Sequence, residues 1–257
     1  MLLEFEDRLS DLACVERVWT SHSERAGEFL SVAATNCELA VTRYRGETFL
    51  TVRGPETSMT AATCPAGGKW LGIRFRPGTF LPQFPPSAIR ARQDVTLPGA
   101  AKRSFWLGGS AWEYPTFENA DTFVARLVRK GIVALDRGVQ AVVNGEPMAL
   151  SSRSMQRHFV RATGITHTAF RQIERARYAT ILLREGVPIV DVVYRAGYFD
   201  QAHMTRSLKR FVGQTPTEVA RATRQLSFLY KPAADAARRL QMPGMELRRG
   251  GQVTLHR

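Results

Sequence analysis

The sequence predicts an α+β chain in which a mainly-β N-terminal half precedes an all-α C-terminal domain. Three observations carry the prediction. Short runs of β-forming residues, broken by proline and glycine turns, fill the N-terminal half. Apolar residues recur at helical spacing from about Asn119 onward. Residues 151–168 also fall onto residues 200–217 when shifted by 49, which marks a duplicated helical unit. The 257 residues suit one or two domains, and a hydrophobic content of 44% is enough to build a core, so wholesale disorder is excluded.

In residues 1–120, Leu39–Tyr44, Thr48–Arg53 and Trp70–Arg76 read as strands. Arg53-Gly54-Pro55, Pro65 to Gly68 and Pro77-Gly78 supply the turns between them. Closely spaced short strands favour a small sandwich or barrel, and Pro82, Pro85, Pro86 and Pro98 mark a looser exit from it. Residues 121–136 read as a connector helix. Val124, Leu127, Val128, Ile132 and Leu135 lie on one side and Arg126, Arg129 and Lys130 on the other. Its apolar stripe is expected to pack within the chain in preference to a second subunit.

The repeat pairs Met155 with Met204, Arg157 with Arg206, Arg161 with Arg210 and Gly164 with Gly213. Phe159 meets Leu208, and Thr166 and Thr168 meet Thr215 and Thr217. Each copy opens on a capping type, Ser151 or Asp200, and closes on a glycine suited to a helix C-terminus. Ahead of the second copy, Ile189–Arg195 fits a short helix behind Pro188, and Ala196-Gly197 fits a tight turn. A short helix, a glycine turn and a second helix from Gln201 to about Phe211 are the parts of a helix-turn-helix. With Met204, Leu208 and Phe211 buried, Gln201, His203, Arg206, Lys209 and Arg210 are left outside. These types donate to base edges and phosphates.

Charge points the same way. Residues 1–120 hold 13 Lys+Arg and 13 Asp+Glu, whereas residues 121–257 hold 23 against 10, which is the whole net charge of +13. An excess confined to one half marks a surface built to meet a polyanion, and nucleic acid is the leading candidate. Arginine outnumbers lysine 31 to 5, and its guanidinium fork suits phosphates and guanine edges. Residues 121–257 alone are therefore expected to bind duplex DNA, with affinity that falls as salt rises. The sequence lacks the interleaved exposed aromatics on which single-strand RNA readers stack their bases.

Gly197-Tyr-Phe-Asp-Gln-Ala-His-Met-Thr-Arg-Ser-Leu-Lys-Arg-Phe-Val-Gly-Gln-Thr-Pro216 resembles the signature of AraC/XylS-type bacterial transcription regulators. Leu150-Ser-Ser-Arg-Ser-Met-Gln-Arg-His-Phe159, followed by Gly164, is similar to the family's upstream helix. The resemblance covers roughly residues 137–223 and leaves 224–257 as a basic tail. It implies two helix-turn-helix units joined by one long helix, here His167 to about Glu185, reading successive major grooves of double-stranded DNA. Carried over residue by residue, Gln201, His203 and Arg206 face bases and Lys209 faces the backbone. Arg153, Gln156 and Arg157 take that role in the first unit. Ala202 stands where the family has a polar residue, and Met204 and Leu208 stand where it has aromatics. Pro147 breaks a supporting helix before Leu150, which leaves Val139 to Val143 as a displaced support and makes phosphate contact the expected role of the first unit. Arg53-Gly54-Pro55, followed by Leu71-Gly-Ile-Arg-Phe-Arg-Pro-Gly78, resembles a half-cupin-like sensor domain found in a subset of these regulators. That implies a small-molecule effector or a homodimer as partner, with RNA polymerase a further partner of the family.

The competing reading is a cysteine-based DNA-repair alkyl acceptor fused to the same DNA-binding domain. That chemistry needs a thiolate held by a zinc–cysteine cluster. Cys14, Cys37 and Cys64 contain no close pair and are expected to be reduced and buried. His22 and His158 suggest no metal site, no cofactor is implied, and G-x-S-x-G, Walker and H-E-x-x-H motifs are missing. Without an apolar membrane span or a basic, apolar leader, the chain is expected to be cytoplasmic.

Overall fold

Cross-strand pairing gathers six strands of the N-terminal half, among them the three β-forming runs at 39–44, 48–53 and 70–76, into one antiparallel sheet. A computed structural model describes residues 2–91, 94–146 and 152–227. The strands are β1 (Glu4–Leu9), β2 (Val15–His22), β3 (Gly27–Ser31), β4 (Glu38–Tyr44), β5 (Glu47–Arg53), β6 (Thr60–Cys64), β7 (Lys69–Phe75), β8 (Thr79–Phe80), β9 (Val95–Thr96), β10 (Gly99–Ala101), β11 (Ser104–Leu107), β12 (Ser110–Glu113) and β13 (Ala134–Leu135). The helices are α1 (Ala120–Arg129), α2 (Arg137–Val143), α3 (Ser152–Thr163), α4 (His167–Arg184), α5 (Ile189–Arg195), α6 (Gln201–Phe211) and α7 (Pro216–Ala220). The large sheet has the order β1-β2-β7-β4-β5-β9, β3 pairs with β6, β10–β12 form a meander, and β13 pairs with β8.

The two faces of the large sheet differ because its strands alternate. Leu39 pairs with Ile73 and Val52, and Val41 with Leu71 and Leu50, so one face is aliphatic and fully buried. The other face carries Glu38 opposite Arg74 and Arg53, Ala40 opposite Gly72 and Thr51, and Thr42 opposite Trp70. Gly72 is required there: a Cβ would come within 2.0 Å of the Trp19 ring that lies across it.

The aliphatic face packs on the meander and on α1, whose Phe123 meets Trp112 edge-on at 5.9 Å. Val124 and Leu127 of the connector stripe are buried inside the chain together with Ala120 and Phe123, whereas Val128 is 44% exposed. The helix expected over 121–136 stops at Arg129, however. Gly131 takes a left-handed backbone (φ +68°), and Ala134–Leu135 become a strand against β8.

A second core surrounds α4, whose buried residues run around the helix. Phe159 of α3, Val192 of α5 and Met204 and Leu208 of α6 share this core with Ile173 and Ala176, and so do Leu30, Val32 and Ala33 from the N-terminal half. Polar contacts reinforce the junction. The Ala33 N–H donates to the Phe211 carbonyl at 2.8 Å, and the Ala33 carbonyl accepts from Arg177 Nη1 at 3.1 Å. The Met59 N–H donates to the Arg210 carbonyl, and Gln225 to Ser227 run alongside Leu30 as a short parallel extension of the β3–β6 ribbon.

At the same junction the half-buried Glu174 carboxyl accepts from Thr35 Oγ1 at 2.6 Å. Burial pushes its pKa up, while Arg177 and the Thr35 hydroxyl pull it down. A carboxyl whose folded pKa exceeds its unfolded one holds its proton more tightly in the native state. Its contribution to stability therefore falls as pH rises above the ordinary carboxylate value. Urea melts of the full chain from about pH 4 to 7 should show a pH slope that flattens in Glu174→Gln; identical slopes in the two proteins would refute this.

Candidate nucleic-acid interface

α6 is built to present one face. Asp200 accepts the His203 backbone N–H at 2.6 Å as an N-cap, and Met204, Leu208 and Phe211 bury the inner side. Gly213, in a left-handed conformation (φ +80°), ends the segment. Arg206 and Lys209 are exposed on the side opposite the core, and Gln201 is exposed at the N-terminal end. His203 is half-buried, with its ring edge-on to Tyr198 at 5.2 Å. Tyr198 is itself fixed by a hydroxyl contact with Ser207 at 3.0 Å and lies under the Arg175 guanidinium. The preceding α5 ends at Ala196-Gly197, with Gly197 at φ +67°.

α3 repeats the pattern at the 49-residue offset, since Ser152 corresponds to Gln201, the first residue of α6. Phe159 is buried against Phe170 and His167, Met155 only partly so, and Arg153, Gln156 and Arg157 are exposed. Gly164 (φ +74°) matches Gly213, and the hydroxyls of Thr166 and Thr215 cap α4 and α7. Both glycines abut the N-terminal half: a Cβ would come within 2.6 Å of the Pro86 backbone at Gly164, and within 2.2 Å of Met59 at Gly213. Residues 137–143 are indeed helical, as α2, with Asp136 as N-cap and Val139 buried. Residues 196–200 separate α5 from α6. Pro147 and the Ser151 cap lie outside the described residues, as does the tail beyond 227.

Two exposed side chains join the seven expected ones. Arg161 follows Arg153 and Arg157 at helical spacing and reaches Asp136 only at 3.9 Å. Phe199 is 91% exposed. It occupies the position where an apolar residue commonly staples back onto the helix's fourth residue, here Met204, yet it stands in solvent. The i, i+4, i+8 row would have found Arg161; Phe199 left no sequence signal, because that position is usually covered.

Residues 146–222, which include α3 to α7, match the helix-turn-helix domain family. This segment is an AraC-type helix-turn-helix domain. The chain is 37% identical over 68 residues to the HTH-type transcriptional regulator RipA of Corynebacterium diphtheriae, a span of 26% of this chain and 20% of that relative. The chain thus covers about a fifth of that protein's length. No solved structure gives a significant match.

Outside the AraC-type domain, Cys14, Cys37 and Cys64 are free and buried. Burial raises the Cys14 thiol and pushes the Cys37 thiol up to about 12, the opposite of what a nucleophilic thiolate needs. His22, placed across from Glu4 by the β1–β2 pairing, comes within 3.4 Å of its carboxylate. With Glu24 they make one exposed group of potential metal ligands, a common surface arrangement. His158 faces Asp136 at 3.5 Å. Among the described residues no helix is long and apolar enough to cross a membrane.

Proposed function

We propose that the chain is a sequence-specific DNA-binding transcription regulator whose α6 and α3 enter successive major grooves. The observation that carries the reading is the exposed Gln201–Arg206–Lys209 face on a capped, glycine-closed helix within the AraC-type domain. In this reading α2–α3 and α5–α6 are the two helix-turn-helix units and α4 is the spacer. Eighteen residues at about 1.5 Å each give α4 a length of roughly 27 Å, comparable with the turn of about 34 Å between equivalent groove faces. Pro147, ahead of α3 in the sequence, supports a first unit that contacts phosphates. The sheet and ribbon are read as the half-cupin-like sensor, through which a small effector or dimerisation controls binding.

The test is binding of the full chain to a selected site and to scrambled duplex at one salt concentration. Arg206→Ala and Gln201→Ala should each lose about 1–3 kcal/mol on the selected site and little on the scrambled one. Arg157→Ala should weaken both alike, as a phosphate contact does. Equal loss of specificity from Arg157→Ala would show that α3 reads bases as well. Phe199, beside Gln201, offers an apolar surface for a thymine methyl. Replacing thymines in the site by deoxyuridine should weaken the parent protein and leave Phe199→Ala unaffected; equal losses in both would remove that contact.

A further inference from the structure

A cavity of about 300 Å³ lies between the polar face of the large sheet and the β3–β6 ribbon, at the lower end of the size range of small-molecule sites. Its charged lining is already paired. Arg53 reaches Glu38, Glu56 and Asp94 at 3.5, 3.0 and 3.3 Å, and Arg74 Nε reaches Glu38 at 3.2 Å. Arg177 donates to the Ala33 carbonyl, and the three arginines of the lining are matched by three carboxylates, Glu38, Glu56 and Asp94. The indoles of Trp19 and Trp70 and the rings of Phe5 and Phe29 supply flat apolar walls, and Ser21, Thr42 and Thr63 add hydroxyls.

The wall is also shared between the two halves of the chain. Arg177 of α4 and Ser227 line the same space as Val32 and Ala34. Between those two, Ala33 holds the Phe211 carbonyl at the end of α6 with its N–H and the Arg177 guanidinium with its carbonyl. Glu56 lines the cavity, and Met59, three residues later, holds the Arg210 carbonyl. α4 thus reaches the cavity through Arg177, and the backbone of Ala33 and Met59 ties its wall to the end of α6.

We propose that this cavity binds a net-neutral, single-ring polar molecule carrying both hydrogen-bond donors and acceptors, and that the 32–36 and 56–59 segments carry its occupancy to α4 and α6. The proposal rests on the reading of the N-terminal half as the effector-responsive part of a DNA-binding regulator. A carboxylate or an ammonium would enter a set of charges that already neutralise one another, so its desolvation would go uncompensated. A neutral amide needs only hydrogen bonds, and the aromatic walls accept its ring.

Benzamide, benzoate and benzylammonium have nearly equal size and differ in charge, so they test the class directly. In calorimetric titrations of the full chain, benzamide should bind saturably and the two ions at least about tenfold more weakly. Ala62→Phe and Thr42→Trp, which fill the cavity from opposite walls, should each abolish benzamide binding. Benzamide should also slow amide exchange in 32–36 and 56–59 and shift the affinity for duplex DNA severalfold. No benzamide binding, equal binding of either ion, or binding that survives in both variants overturns the site. Binding without any change in exchange overturns the coupling. Benzamide binding by a chain that never binds duplex would instead overturn the regulator reading and leave the site standing.

Discussion

Removing residues 1–120 is expected to leave a C-terminal piece that melts at lower temperature than the full chain, with poor cooperativity, and that loses most of its discrimination between selected and scrambled duplex. Charge alone would let residues 121–257 bind any DNA at low salt. Folding is another matter, because the core around α4 includes Leu30, Val32 and Ala33. Burying an aliphatic side chain contributes about 1.5–3 kcal/mol, so losing Leu30 and Val32 takes a large share of a stability of about 5–15 kcal/mol. The cut also strips Ala33 from the Phe211 carbonyl and exposes Phe123, Val124 and Leu127 of α1. Circular-dichroism melts and anisotropy titrations of the two proteins would measure this. A truncated protein with the melting midpoint and specificity of the full chain would show that the shared core contributes nothing.

Arg177→Ala is expected to destabilise the full chain by about 3–5 kcal/mol, the cost of leaving a buried charge without its counterpart. Arg177 is 6% exposed, donates to the Ala33 carbonyl and opposes the half-buried Glu174 carboxyl. The Glu174 pKa, already raised by burial, should rise further without the guanidinium, so the loss should shrink as pH falls. Adding Glu174→Gln should recover part of it. Urea midpoints of the two single variants and the double variant give the coupling. A loss for Arg177→Ala below about 1 kcal/mol, or strictly additive effects, would mean that the pair is not coupled.

The helical half was legible in the sequence because its signals are local. The 49-residue offset placed α3 on α6, Asp200 marked the α6 cap, Pro188 the start of α5, and Gly164 and Gly213 the left-handed residues after two helices. Period-2 runs likewise placed β4, β5 and β7 to within a residue at each end. The connector helix was overextended because Ile132 and Leu135 continue a helical spacing by chance, whereas Gly131 ends the helix in the chain itself.

What only the tertiary structure decided is the junction between the halves. Thr35 and Glu174 are 139 positions apart, Ala33 and Arg177 144, and Val32 and Ser227 195. No periodicity or capping rule links such positions. Nor could the alternation of β4, β5 and β7 say which face would meet helix α1 and which would enclose a cavity. The aliphatic face went to α1, whose Phe123, Val124 and Leu127 match it. The face bearing Glu38, Arg53 and Arg74 could be buried only where those charges neutralise one another. The sequence thus determined the helices that carry the exposed polar side chains. Which cavity stands behind them, and which backbone ties the two together, follows from long-range packing that forms only when the whole chain folds.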